Sequence, residues 1–299
     1  MQSSEGRSSE GRKSECRSPQ GRKSEGRTSE SRSPESRSPE SPRSAADRLL
    51  DVLAAFDHEH PALSLTEIGR RAGLPLATAH RLAGVLTRWG ALERDASGCY
   101  RIGLRLWELG ALAPRGVALR QAAQPFLEDL YEATHENVQL AVRDGADVVY
   151  IERISGRTAV GVLSQVGARW PLHATGVGLV LLAYAGAALQ EEVYGKPLVA
   201  FTPYTVTDPG RLRRMLAEVR RTGCAVSDRQ ITDDALSVAA PVRGPGGDVI
   251  AAVSVVVHAD GAPTRALIPA VQVAARGISR TLGWQPGDRA GVPGQQPLV

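Results

Sequence analysis

Two stretches of this chain place recognising side chains at informative spacings. The first is Ala77-Thr78-Ala79-His80-Arg81, with Arg88 further on. At 3.6 residues per turn, Ala77, Arg81, Gly84 and Arg88 share one helical face, flanked by Thr78 and His80. A guanidinium at Arg81 can be bidentate to guanine O6 and N7, and small Ala77 permits close approach or touches a thymine methyl. The Thr78 hydroxyl and the His80 ring can reach bases or phosphates, and Arg88 suits the phosphate backbone. The second stretch is Thr175-Gly176-Val177-Gly178. A threonine in front of small residues is an N-cap, and the backbone N–H groups it leaves accessible attract a small anion.

The first stretch needs a helix to carry it and others to hold that helix. Leu63 to Gly90 reads as helix, glycine turn and second helix. Ser64 and Glu67 stand in capping-box spacing, Gly73 makes the turn, and Pro75 suits a first helical turn. Ala79, Leu82, Ala83 and Leu86 form the apolar face of the second helix. Ala45 to Phe56 is a periodic support helix, with Leu49, Val52, Leu53 and Phe56 on one face. Ala91 to Gly103 alternates as a hairpin, with Leu92, a Ser97-Gly98 turn, then Tyr100 and Ile102. Arg94 and Arg101 flank that hairpin, within reach of phosphates or as ordinary solvated residues. Helix, turn, helix and hairpin in this order is a winged helix-turn-helix.

The second stretch lies in a segment of different period. Residues 104 to 135 are helical, interrupted at Pro114 to Gly116. NVQLAVR, DVVYIERI and AVGVLS then read as strands separated by Asp144-Gly145 and Ser155-Gly156 turns. A buried helix is expected from Thr175 to Ala185 and another from Pro209 to Thr222. The strands CAVSDR, LSVAAPVR and DVIAAVSVVVHA follow, then a helix from Thr264 to Leu282. Strands bracketed by helices describe an α+β domain.

Composition bounds the function. The 299 residues suffice for two modest cores, and a net charge of +4 is compatible with nucleic acid without demanding it. Residues 1–44 form a degenerate Ser/Arg/Glu/Gly repeat, with eight Arg and two Lys against seven Glu. Such a stretch cannot offset the entropy of ordering its backbone, so a disordered tail is expected there. The three cysteines show no C-x-x-C spacing, which argues against a zinc site and fits a reducing compartment. His58-Glu59-His60 lacks the i, i+4 spacing of a helical metal pair, and His173 reads more readily as structural than as a ligand group. The apolar part of the uncharged run Trp170 to Gln190 is too short for a membrane span. No signal-peptide core opens the chain, and a cytoplasmic location is expected. There is no G-x-S-x-G elbow, H-E-x-x-H or Walker loop; no catalytic residue, metal or cofactor is assigned.

Ordered motifs from Ala45 to Leu282 resemble the IclR family of bacterial transcriptional regulators. They are LSLTEIGRRAGLPLATAHRL, RDASGCYRIG, the G-x-R-L-x-x-L-G run at Gly103 to Gly110, ADVVYIERI, VGARWPLHATGVG, FTPYTVTDPGRL, and SVAAPV followed by IAAVSV. The resemblance implies a winged helix-turn-helix domain joined by a linker helix to a GAF-like α+β effector-binding domain. The expected division is a tail over 1–44, a DNA-binding domain over 45–103, a linker helix over 104–118, an effector and oligomerisation domain over 119–283, and a tail over 284–299. It also implies a homodimer or dimer of dimers, acting as repressor or activator on a palindromic operator in double-stranded DNA. The effector is expected to be a small organic acid at Thr175, Gly176 and Val177. Leu163, Ala235 and Val256 would be its apolar walls, and Ser227, Asp228, Ser237 and Ser254 its polar fixtures. A rival reading is an architectural DNA binder whose second domain only oligomerises.

Overall fold

The computed structural model describes residues 44–113, 116–156 and 159–287. The chain divides into two compact units, with the boundary in sequence between Leu112 and Ala113. The N-terminal tail, apart from Ser44, and the last residues of the C-terminal tail lie outside the described residues.

In the first unit, α1 (Ala45–Ala54), α2 (Leu65–Ala72) and α3 (Leu76–Trp89) surround a core that includes Val52, Ile68, Leu82 and Leu86. Ser44 and Asp47 make a reciprocal capping box on α1, and Ser64 and Glu67 make the same box on α2. Each box satisfies helix donors that would otherwise be orphaned. Gly73 closes α2 at φ 63°, a left-handed conformation that costs glycine least. The short strand β1 (Ala62–Leu63) pairs with β3 (Tyr100–Ile102), which pairs with β2 (Leu92–Arg94), all antiparallel. Leu63, Leu92 and Tyr100 pin this wing to the helices, each burial contributing about 1.5–3 kcal/mol. The helix α4 follows over Leu104–Gly110.

The second unit is a six-stranded antiparallel sheet between two helical layers. In chain order its elements are α5 (Val117–Thr134), β4 (Asn137–Asp144), β5 (Asp147–Ile154), β6 (Arg169–Pro171), α6 (Gly176–Ala183), α7 (Ala187–Tyr194), α8 (Pro209–Thr222), β7 (Ala225–Asp228), β8 (Ala235–Arg243), β9 (Val249–His258) and α9 (Thr264–Thr281). The strand order is β6-β5-β4-β9-β8-β7. Helices α5 and α9 cover one face, packing on Val253, Val255 and Val257; α6 and α8 cover the other, over Ala141, Ala239 and Ala252. Burial on both faces explains why β9 is almost continuously apolar rather than alternating.

One expected strand is absent and one helix is added. AVGVLS, read as a strand, forms no strand over residues 159–164. The edge of β5 pairs with β6 at Arg169–Pro171 instead, so the earlier segment has no backbone ladder to join. Side chains hold it: Asn137 Nδ2 donates to the Val160 carbonyl at 2.7 Å and Gln139 Nε2 to Ser164 Oγ at 2.6 Å. The helix α7 was not anticipated. It buries Val193 alone, too little apolar periodicity to announce itself.

Among the described residues, no helix is long and apolar enough to cross a membrane, and no cluster of three or more His, Cys, Asp or Glu is placed to hold a metal.

Candidate functional site

The first candidate surface is the outer face of α3. Ala79, Leu82, Ala83 and Leu86 are buried, which turns Ala77, His80, Arg81 and Arg88 outward, with Thr78 half-buried beside them. Leu76, on the first turn, is 53% exposed. Arg81 and Arg88 enter no hydrogen bond or ion pair among the described residues. Their charges are therefore available to an outside partner. The wing arginines differ. Arg94 Nε donates to the Gly98 carbonyl at 3.0 Å and its guanidinium lies over the Tyr100 ring, while Arg101 pairs with Asp95 at 3.3 Å. They are exposed but already serve the turn of their own hairpin.

The second candidate is a cavity in the other unit, between the N-terminus of α6 and the sheet. Thr175 caps α6 in extended conformation, its Oγ1 accepting from the Gly178 N–H at 3.0 Å. The N–H groups of Gly176 and Val177 meet no acceptor among the described residues, although both residues are fully buried. Buried backbone donors are almost always paired, so two free ones at a helix start invite an oxygen from elsewhere. A Cβ built on Gly176 would lie 2.5 Å from Ser237 Oγ and 3.5 Å from the Ala239 Cβ. Only glycine lets α6 begin this close to β8.

The cavity is partly open to solvent, and about 60 Å³ of it admits the centre of a water-sized sphere. One water needs roughly 10–15 Å³ by that measure, so the space suits a small molecule. Leu163, Thr175, Gly176, Ser227, Ala235, Ser237 and Val256, all anticipated from sequence, line it. Three further anticipated positions lie elsewhere. Val177 packs in the core beneath α6, and Asp228 lines a separate cleft with Tyr204 and Arg211. Ser254 is fully buried on the sheet, its hydroxyl without a partner among the described residues.

The fold adds residues that the motifs did not single out. Gln139, Tyr150, Val162, Ser164, Trp170, Gln230, Ile231 and Thr232 complete the lining. Gln139 and Tyr150 had a legible signal, a polar group at an inward position of an otherwise apolar strand. Gln230 had none, because it comes from an irregular loop. Its Nε2 donates to Ser227 Oγ at 3.1 Å and its Oε1 accepts from the Val206 N–H at 3.1 Å, tying two loops together. The Tyr150 hydroxyl hydrogen-bonds the Thr175 side chain, and burial pushes its pKa above the ordinary tyrosine value; it acts as a neutral phenol. Trp170 meets Phe201 edge to face, with ring centroids 5.3 Å apart. His173 stacks on the same ring and donates from Nε2 to the Val199 carbonyl at 2.9 Å. Burial lowers its pKa, so it is a neutral structural histidine.

Neutral hydrogen-bonding groups, apolar and aromatic walls and a helix N-terminus can hold a small oxyanion. Among the described residues the lining contains no charged side chain and no nucleophile paired with a base.

Comparison with known proteins assigns both units. Residues 45–96 match the IclR helix-turn-helix domain, and residues 113–280 match the family described as bacterial transcriptional regulator IclR C-terminal. The chain is 32% identical over 245 residues to the HTH-type transcriptional regulator XynR of Escherichia coli (strain K12), covering 80% of this chain and 97% of that one. It is similar to the crystal structure of an IclR homolog from Microbacterium hydrocarbonoxydans complexed with 4-hydroxybenzoate. The TM-score is 0.76 at 40% identity, with 80% of this chain and 99% of that chain covered. The Thermotoga maritima IclR structure aligns with a TM-score of 0.65 at 26% identity over 80% of this chain and 97% of that one. A winged helix-turn-helix unit followed by an α+β effector-binding unit, matched along both, places this chain in the IclR family of bacterial transcriptional regulators.

Proposed function

We propose that this protein is a ligand-responsive regulator of the bacterial cytoplasm. It binds a palindromic operator through paired α3 helices and releases or retains it according to a small organic acid in the α6 cavity. The observation that carries the ligand half is the capped start of α6 at the cavity, where Thr175 and Gly176 line the space and the Gly176 N–H has no acceptor among the described residues. The relative holding 4-hydroxybenzoate supports an aromatic hydroxy acid as occupant, with Trp170 and Ile231 as walls and the hydroxyls of Ser227 and Ser237 for its polar groups.

Base reading falls to Arg81, with Ala77, Thr78 and His80 beside it; Arg88, Arg94 and Arg101 contact phosphates. One such helix specifies little, since a good bidentate contact contributes about 1–3 kcal/mol of discrimination. Two copies on a palindrome double it, so the reading face itself calls for a homodimer or a dimer of dimers. The exposure of Leu104 and Trp107 on α4, at 63% and 62%, is consistent with a surface covered by a second copy. The ligand controls the operator only through different affinities for the DNA-competent and incompetent arrangements.

The test is a thermal-shift panel of small aliphatic and aromatic acids, followed by operator titration with each acid that stabilises. Saturation at a hundredfold excess over Kd contributes about 2.7 kcal/mol, equivalent to a rise of roughly 5–10 °C. A stabilising acid that also shifts operator affinity is the expected result. Operator binding that no acid alters favours the architectural reading instead.

A further inference from the structure

Among the described residues no charged side chain lines the cavity, yet one cation stands directly behind it. Arg153 of β5 lies opposite Gln139 of β4 and so shares its sheet face. Its Nη1 donates to the Ser164 carbonyl at 3.2 Å, and its Nη2 to Asn137 Oδ1 at 3.2 Å and Ser155 Oγ at 3.1 Å. Gln139 and Ser164 are themselves part of the lining. Every acceptor in this set is neutral.

Among the described residues no carboxylate pairs with this guanidinium, and its Nε–H is buried with no acceptor. The neighbouring carboxylate is spoken for. Glu152 sits opposite Leu140, on the face that α5 covers, and forms an ion pair with Arg120 of α5. The next strand repeats the deficit: Ser254, the cross-strand partner of Gln139 on β9, is fully buried with an unpartnered hydroxyl. Burial also lowers the Arg153 pKa, the mark of a cation short of counter-charge. A half-buried cation without an anion is costly unless another species supplies the charge.

We propose that Arg153 is the specificity-determining residue that makes the cavity prefer an anionic ligand over a neutral one of the same shape. It acts through its field rather than by contact, with Ser164 and Gln139 between it and the ligand. Trp170, Ile231 and Val256 line the same space with apolar surface, which screens that field less than bulk water does. This assignment rests on the reading of the cavity as the effector site. A purely structural role would consist only of holding residues 159–164 in place by the hydrogen bond to Ser164.

The experiment uses the full chain and two compounds that differ chiefly in charge, 4-hydroxybenzoate and 4-hydroxybenzamide, titrated by calorimetry. Arg153→Gln is expected to weaken the acid about tenfold while leaving the amide within about twofold, and Arg153→Lys to keep the preference for the acid. Equal weakening of both compounds in Arg153→Gln, or no weakening of either, overturns the proposal. A thiol reports the field independently of any ligand. In Ser164→Cys, the thiol at position 164 is expected to alkylate about tenfold faster at neutral pH with Arg153 present than with Arg153→Gln, through its lowered pKa. Equal alkylation rates overturn the assignment. If wild-type protein binds neither compound while the thiol rates still differ tenfold, Arg153 keeps its role and the aromatic-acid reading of the preceding subsection is the one that fails.

Discussion

A methyl group on Gly176 would fall 2.5 Å from the Ser237 hydroxyl oxygen, so the first turn of α6 rests directly on strand β8. That contact sets the roof and floor of the cavity at once. Any residue larger than glycine at position 176 must push α6 away from the sheet or turn the serine aside.

Gly176→Ala is therefore expected to cost about 1–3 kcal/mol of overpacking and to weaken effector binding at least tenfold. Urea unfolding and calorimetry measure the two effects. Adding Ser237→Ala removes the clashing oxygen, and the double variant should recover more than half of the lost stability. Strict additivity of the two substitutions would show that the residues do not press on each other.

Arg81→Ala tests base reading. The side chain is exposed and makes no internal hydrogen bond or ion pair among the described residues, so the thermal midpoint should stay within about 1 °C of wild type. Operator discrimination against a scrambled duplex should fall by about 1–3 kcal/mol per reading helix. Fluorescence anisotropy on both duplexes at one salt concentration measures it. An unchanged ratio would move the base contact away from Arg81.

The capping box of α2 carries a pH signature. Hydrogen bonds from the Ser64 side chain and backbone hold the Glu67 carboxyl below its usual value of 4.5. A depressed folded pKa means stability that is present above the unfolded value and is lost as pH falls through the folded one. Wild type should accordingly exceed Glu67→Gln in stability at pH 7, and the gap should close as pH falls below 4.5 and through the depressed folded-state value. Denaturant unfolding across that range checks the sign. A gap that persists in acid would mean the carboxylate charge is not what stabilises the cap.

Trp107→Glu addresses pairing. Trp107 is 62% exposed on α4, so its replacement removes little packing within the chain. Sedimentation at micromolar concentration should show a shift toward smaller species and weaker operator binding, with the helix content unchanged. Retention of the wild-type assembly would place the dimer contact elsewhere.

The parts of the fold that were legible in sequence share one physical basis, local periodicity with local punctuation. Ser64, Gly73 and the Ala79–Leu86 face specify α2, the turn and α3 within thirty residues, and the contacts that decide them are short-range. The same holds for the cap at Thr175. Errors arose where long-range pairing decided the outcome. AVGVLS has strand-like composition, but β6 occupies the edge it would need, and side chains from β4 hold its carbonyl and hydroxyl instead. The helix α7 is not legible in sequence because a single buried residue leaves almost no pattern.

The candidate cavity divides along the same line. Thr175 and Gly176 are readable as a capped helix start, whereas Gln230 reaches the lining only because two loops cross, and Arg153 lies behind it only because β5 pairs with β4 at Gln139.

From sequence alone, then, come the element types, the exposed arginine on α3 and the anion-seeking helix start, since these depend on spacing along one stretch of chain. Tertiary structure alone decides which distant groups share the cavity and which charges find partners. Strand order and register are cooperative choices among segments more than a hundred residues apart, and no local pattern encodes which neighbour a half-buried cation will lack.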